Sequence, residues 1–252
     1  MPGMQIILPM AEAGAATLSG PGSGLANLQT PSPREVWVAP GTGVQNIEID
    51  FGADVTVDSF ALVGTNALPG ALWSIRQIAS LGGAVTSSLL INAPMRMPGA
   101  IRKRYASFYR HAVPVTGRYF RVQVNQGAAP AMVAGRLDIG LALEIPYAFG
   151  SGRTPIDTSR VVELPDGGFG VDRGVVKTLL SWRFVDLDAV TLAKLWAIAE
   201  DRGESRPIIA IEGDTSPTQE PSFNYGLFRR FEAYEREDPA STKWGFSMVE
   251  WL

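Results

Sequence analysis

The 252-residue chain contains no cysteine. Disulfides, thiolate zinc sites and cysteine nucleophiles are therefore excluded. It has one histidine, His111, so no multi-histidine metal site is available. Charge is sparse: charged residues make up 19% and the net charge is −3, which argues against bulk affinity for nucleic acid. Long hydrophobic runs are missing. The N-terminal "MPGMQIILPMAEAGAATLSG" carries a short apolar run broken by Pro9 with no leading Lys or Arg, a pattern of neither a signal peptide nor a membrane span. Neither a phosphate-wrapping G-x-x-x-x-G-K-[ST] loop nor a G-x-S-x-G elbow occurs. "GPGSG" at 20–24 reads as a flexible loop, since no strand precedes it and no capped helix follows it. The expectation is a protein that is not an enzyme, with no cofactor and no metal, and with no nucleic-acid or membrane partner.

What the chain does have is turn punctuation. Its 27 Gly and 18 Pro lie mostly between apolar runs, and 46% hydrophobic residues are enough to fill a core. Charge divides unevenly. Residues 1–148 hold 10 basic and 8 acidic side chains, against 12 and 17 in residues 149–252. "IPYAFGSGRTP" at 145–155 marks the boundary, giving expected domains 1–148 and 149–252.

The first half reads as β. "VQNIEIDFG" alternates Val44, Ile47, Ile49 and Phe51 with polar neighbours, and "VDSFALVGTN" follows, ending on a turn signal. "LWSIRQIA" alternates, and "GRYFRVQV" sets Phe120, Val122 and Val124 opposite Tyr119, Arg121 and Gln123. The second half reads as α+β. "VVKTLLSWRFV" puts Val176, Thr178, Leu180, Trp182 and Phe184 on one face, and "DLDAVTLAKLWAIAEDRG" predicts a helix over 186–202. Asp186 is its expected N-cap, Val185 and Val190 its hydrophobic staple, and Gly203 its stop. Leu192, Leu195, Trp196 and Ala199 form its expected apolar face. Three strands follow: "RPIIAIEG", "YGLFRRFEAY" and "KWGFSMVEWL".

One local cluster stands out. In "IRKRYASFYRH", Arg102, Lys103, Arg104 and Arg110 interleave with Tyr105, Phe108 and Tyr109. Three readings stay open: a grip on phosphates, sugars or bases, a strand edge charged against unwanted pairing, or a contact for an acidic neighbouring subunit. Carboxylates give less. Asp186 and Asp188 suit a helix N-terminus; Glu232, Glu235, Glu237 and Asp238 belong in or beside a solvated hairpin turn. Asp54 and Asp58 flank "VTV", and two readings stay open for them: a contribution to a calcium site, or ordinary turn chemistry. His111 reads as a structural or surface residue.

The segments "IEIDFGADVTVDSFALVGTN", "GRYFRVQV" and "AGRLDIG" resemble the discoidin-like (coagulation factor 5/8 type C, galactose-binding) fold over about residues 20–145. The resemblance implies an N-terminal jelly-roll β-sandwich, here without the disulfide that often ties the ends. The segments "LLSWRFVDLDAVTLAKLWAIAEDRG", "SRPIIAIEGD", "YGLFRRFEAYER" and "KWGFSMVEWL" resemble phage distal-tail and tail-tube proteins over about residues 155–252. That implies a second β-sandwich with one flanking helix that assembles side by side into a ring, hexameric first and trimeric second. Together they imply a mainly β protein with an α+β C-terminal part. Its expected role is structural, in a bacteriophage tail tip or baseplate: made in the host cytoplasm, located in the virion, and partnered by copies of itself, the tail tube and tail-tip or hub proteins. The alternative is a carbohydrate-binding module for host glycan, with Trp73, Tyr105, Tyr109 or Arg110 at its binding end. A third reading is a polysaccharide hydrolase or metal-dependent enzyme, tested by Glu235→Gln.

Overall fold

The computed structural model describes residues 3–12, 14–96, 105–148, 150–213, 223–236 and 242–251, the side chain of Tyr105 excepted. The chain is mainly β. In order, its strands are β1 (Gly3–Pro9), β2 (Thr17–Ser19), β3 (Trp37–Val38), β4 (Val44–Thr65), β5 (Leu72–Ile78), β6 (Val85–Pro94), β7 (Tyr105–Asn125), β8 (Val133–Ala134) and β9 (Arg136–Pro146). There follow β10 (Gly152–Asp157), β11 (Arg160–Glu163), β12 (Phe169–Asp172), β13 (Val176–Leu187), the helix α1 (Ala189–Arg202), β14 (Ile208–Glu212), β15 (Phe223–Phe231), β16 (Glu235–Arg236) and β17 (Thr242–Glu250).

The contacts divide the chain into two compact units. Unit 2 is residues 3–144 with 209–224, and unit 1 is residues 1–2, 145–208 and 225–252. This corrects a single cut at residue 148. The reason is a ladder: β14 pairs antiparallel with β1, from Met4↔Glu212 to Ile7↔Ile209, and so a late strand belongs to the early unit.

Unit 2 is an antiparallel sandwich of jelly-roll type with strand order β14-β1-β9-β4-β7-β5-β6, β2 on β4, and a separate β3–β8 pair. Period-two alternation places its core. On β7, Phe120, Val122 and Val124 are buried while Tyr119, Arg121 and Gln123 are half-buried. They meet Ile47, Ile49, Phe60 and Leu62 of β4 and Ile75 of β5 in one cluster. The two apolar runs of β4 form one 22-residue strand, joined where its register against β7 shifts between Asp50 and Val55.

The closing segment "AGRLDIG" has a physical reason at each special position. A Cβ on Gly135 would lie 2.2 Å from the Pro33 carbonyl oxygen, and one on Gly140 1.8 Å from that of Leu8. Between them Arg136 is buried and paired with buried Asp138.

Unit 1 has the strand order β10-β13-β17-β15, with β16 on β17, a separate β11–β12 hairpin and α1. Leu180, Trp182 and Phe184 point inward on β13 as their alternation requires, with Trp182 and Phe184 against Phe246. The helix begins later than 186. Asp186 has φ 55, a left-handed kink inside β13 where its register against β17 shifts between Phe184 and Leu187, and Asp188 is the N-cap, its Oδ1 accepting from the Thr191 N–H at 2.7 Å. The staple positions thereby move from Val185 and Val190, the latter exposed, to Leu187 and Leu192. The buried face is Leu195, Ile198 and Arg202, with Leu192 and Ala199 half-buried. Trp196, expected on that face, is 42% exposed.

Candidate functional site

The basic and aromatic segment does not gather into one open surface among the described residues. Arg102, Lys103 and Arg104 lie outside them, as does the side chain of Tyr105. Tyr109 is half-buried: its hydroxyl donates to the Leu89 carbonyl at 2.6 Å and lies 2.7 Å from His111 Nδ1. Burial pushes its phenol above the usual range. Arg110 is committed within unit 2, with Nε 3.0 Å from Asp58 Oδ2 and Nη1 on Glu144. Burial disfavours its charge, but the bonds to Glu144 and Asp58 outweigh that and hold its pKa above the ordinary value. Asp58 also accepts from Ser59 Oγ and the Ala142 N–H, whereas Asp54 is exposed, so the two do not act as a pair. Trp73 is 2% exposed inside the core, which removes it as a stacking platform and corrects the expectation for it.

Among the described residues, no three His, Cys, Asp or Glu side chains converge as metal ligands, and no helix is long and apolar enough to cross a membrane.

Two features of unit 1 are open instead. The first is an aromatic recess of about 410 Å³ between α1 and the strands β15 and β17. The Trp196 ring meets Tyr234 edge-on at 5.7 Å and Trp244 at 5.6 Å, and Phe231 stacks on Trp244 at 6.2 Å. Both indole N–H groups are used internally: Trp196 donates to Glu200 Oε1 and Trp244 to the Glu232 carbonyl, each at 2.7 Å. Glu200 and Glu232 are exposed at the rim. Helical spacing had placed Trp196 in a packed stripe. The signal for its true setting is the density of aromatics in "FRRFEAY" and "KWGF" at one end of adjacent strands.

The second is the β11–β12 hairpin, which the sequence reading missed although "LPDGG" between apolar runs is a turn signal. Its ladder runs Arg160↔Asp172 to Glu163↔Phe169. Its neck is tied by polar bonds: the Thr158 hydroxyl donates to the Val175 carbonyl and accepts from the Val175 N–H, both at 2.9 Å, and Gly174 donates to Ser159 Oγ at 3.0 Å. Yet its apolar side chains, and two beside its neck, face solvent. Val161, Val162, Leu164, Phe169, Val171, Val175 and Val176 are 61, 63, 42, 66, 57, 43 and 59% exposed.

No family model and no curated protein matches the chain. Among solved structures it is similar to the family 32 carbohydrate-binding module from Clostridium perfringens NanJ in complex with galactose, at 12% identity and TM-score 0.41, over 54% of this chain and 98% of that one. It is also similar to chitosan-binding module 1 from a Paenibacillus sp. IK-5 chitosanase/glucanase, at 16% identity and TM-score 0.42, over 52% and 98%. A third similarity is to a Ruminococcus gnavus GH29 fucosidase in complex with fucose, at 12% identity and TM-score 0.41, over 54% of this chain and 27% of that one.

Proposed function

We propose that this chain is a non-catalytic assembly protein whose unit 1 joins copies of itself, and that it serves as a structural subunit of a phage-like tail tip or baseplate. The observation that carries the assembly reading is the bare hairpin. An isolated two-stranded hairpin is marginal in water, and this one leaves five large apolar residues open, with Val175 and Val176 beside its neck. Successive side chains of its strands point to opposite faces, so each face of the hairpin carries apolar groups that a partner can cover. Covering it with a further copy buries the patch and closes the strand edges, and a rotation that closes gives a ring. The tail-tip role rests on the sequence resemblance of residues 155–252.

The experiment is sedimentation velocity over a wide concentration range, on the wild type and on Phe169→Asp. The wild type forms oligomers and the variant does not. A wild type that stays monomeric throughout ends this reading.

The second reading, carbohydrate recognition by unit 2, is favoured by its jelly-roll architecture, though a fold of this kind does not itself assign a ligand. Trp73 and Arg110 are turned to internal duties, so a sugar would need other groups. Binding on an array of bacterial polysaccharides supports this reading, and silence across the array removes it.

A further inference from the structure

We infer that the outer sheet face of unit 2 holds a binding site for an anionic sugar, a hydroxylated body carrying a carboxylate or phosphate, and that Arg76 is its anchor. This rests on the carbohydrate reading above and names the groups that reading needs. The ladders set one row of side chains across four strands. Glu48 of β4 faces Arg121 of β7, Arg121 faces Arg76 of β5, and Arg76 faces Ser88 of β6. Alternation turns this row away from the core, because Ile47, Ile49, Val122 and Ile75 point into it. Glu48 is already committed: it accepts from Arg121 Nε at 2.8 Å and from the Gly82 N–H at 2.6 Å. Asp50, two residues on, is held by Nε and Nη2 of Arg118 at 2.6 and 2.9 Å. Arg76 is half-buried, and its Nε is covered and bonds to nothing among the described residues. Arg76, Arg118 and Arg121 thus meet only Glu48 and Asp50 on this face, and the unbalanced positive charge is at Arg76.

A guanidinium partly withdrawn from water and without a counter-charge is one half of an ion pair. With Nε covered, the Nη1–Nη2 end is the part a ligand meets, and that planar end takes a carboxylate or phosphate through two parallel bonds. The next row supplies neutral groups beside it. Gln123 faces Asn46 on one side and Ser74 on the other, and its Nε2 donates to Asn46 Oδ1 at 2.9 Å. That bond leaves the Asn46 amide N–H groups as donors and the Gln123 carbonyl oxygen as an acceptor, and the exposed Ser88 hydroxyl can act as either. Hydroxyl groups of a sugar use both kinds, whereas a bare ion has no use for the acceptors. The loop 79–84 is pinned to the same face, since the Gly83 carbonyl accepts from Arg121 Nη2 at 3.0 Å while Gly82 holds Glu48. The face therefore joins one unneutralised cation to a set of neutral hydrogen-bonding groups, and an anionic sugar answers both.

The test is isothermal titration calorimetry on the full-length chain as wild type, Arg76→Gln, Arg76→Lys and Arg173→Gln. The last removes an exposed positive charge from unit 1 and controls for charge alone. Melting curves establish that each variant is folded. The probes are glucuronate, glucose 6-phosphate, glucose and inorganic phosphate. Wild type and Arg173→Gln bind an anionic sugar roughly tenfold more tightly than glucose or inorganic phosphate, and the tighter of glucuronate and glucose 6-phosphate identifies the oxyanion. Arg76→Gln loses that preference. Arg76→Lys keeps the charge without the planar fork and falls between, and it decides the matter if Arg76→Gln does not fold. Binding unchanged in the Arg76 variants overturns the inference, as does inorganic phosphate binding as tightly as the anionic sugars. If the wild type takes up neutral polysaccharide on the array but neither anionic sugar, the inference is overturned and the carbohydrate reading stands. If it takes up no saccharide of any kind, both fall.

Discussion

Arg136 and Asp138 lie on one strand two residues apart, and the guanidinium folds back so that its Nε is 2.8 and 2.9 Å from the two carboxylate oxygens of Asp138. Both are about 1% exposed. Arg136 also donates to the Thr30 carbonyl and to Glu12 Oε1, so one buried cation ties strand β9 to two loops. Removing one partner of such a pair leaves an uncompensated buried charge. Arg136→Ala is expected to cost about 3–5 kcal/mol, read as a lowered midpoint in urea. A loss well below 1 kcal/mol would show that the network carries little of the stability of unit 2.

Gly140→Ala is expected to destabilise by about 1–3 kcal/mol or more, because the new methyl would meet the Leu8 carbonyl oxygen, a backbone atom that cannot swing aside. Gly127→Ala is the comparison. Its Cβ would meet open space but at φ 76, so its cost is backbone strain alone. Thermal melts rank the two, and equal losses would deny the close approach of β1 and β9.

Much of the fold was legible in the sequence. The alternation of Phe120, Val122 and Val124 located the inner face of β7, and that of Leu180, Trp182 and Phe184 located the inner face of β13. Period-two patterns report burial directly when one face is solvated. The helix start was misread because Asp186 and Asp188 are chemically equal caps, and the choice was made by the left-handed backbone at Asp186, which spacing does not encode. The recess was illegible for a different reason. It depends on β15 and β17 aligning Phe231 with Phe246, which brings Phe231, Tyr234 and Trp244 to one end beside Trp196. That is a register fact, fixed by pairing between distant segments.

Acid should weaken the protein in a definite window. Three aspartates titrate below their ordinary value of 3.8: Asp188 through the Thr191 backbone N–H, Asp50 through its bond from Arg118, and Asp157 through the Ser159 hydroxyl. A carboxyl with a depressed folded pKa binds fewer protons when folded. Its contribution is complete above the unfolded value and is lost as pH falls through the folded one. Thermal midpoints should therefore hold with respect to these groups between pH 5 and 8 and drop below about pH 4. Asp188→Asn keeps the cap's acceptor while removing its titration, so it should shallow the acid limb. An acid limb unchanged when all three are Asn would assign acid sensitivity elsewhere.

A fragment ending at residue 148 should fold poorly despite containing the jelly-roll segments. It lacks β14, so the side of β1 that pairs through Met4–Ile7 is left open. Adding residues 149–213 restores the partner. Limited proteolysis and light scattering distinguish the two, and a fragment 1–148 as resistant as the full chain would contradict the ladder's importance.

The same pairing bears on how the molecule is made. The strand that completes β1 begins only at Ile208, so a growing chain must emerge from the ribosome past Glu212 before β1 finds its last neighbour in unit 2. Until then the apolar residues Met4, Ile6 and Ile7, fully covered in the finished molecule, wait without that neighbour. Contacts between such distant segments form late and slowly, and the nascent polypeptide is most open to trapping by chaperones or by its fellows during that interval.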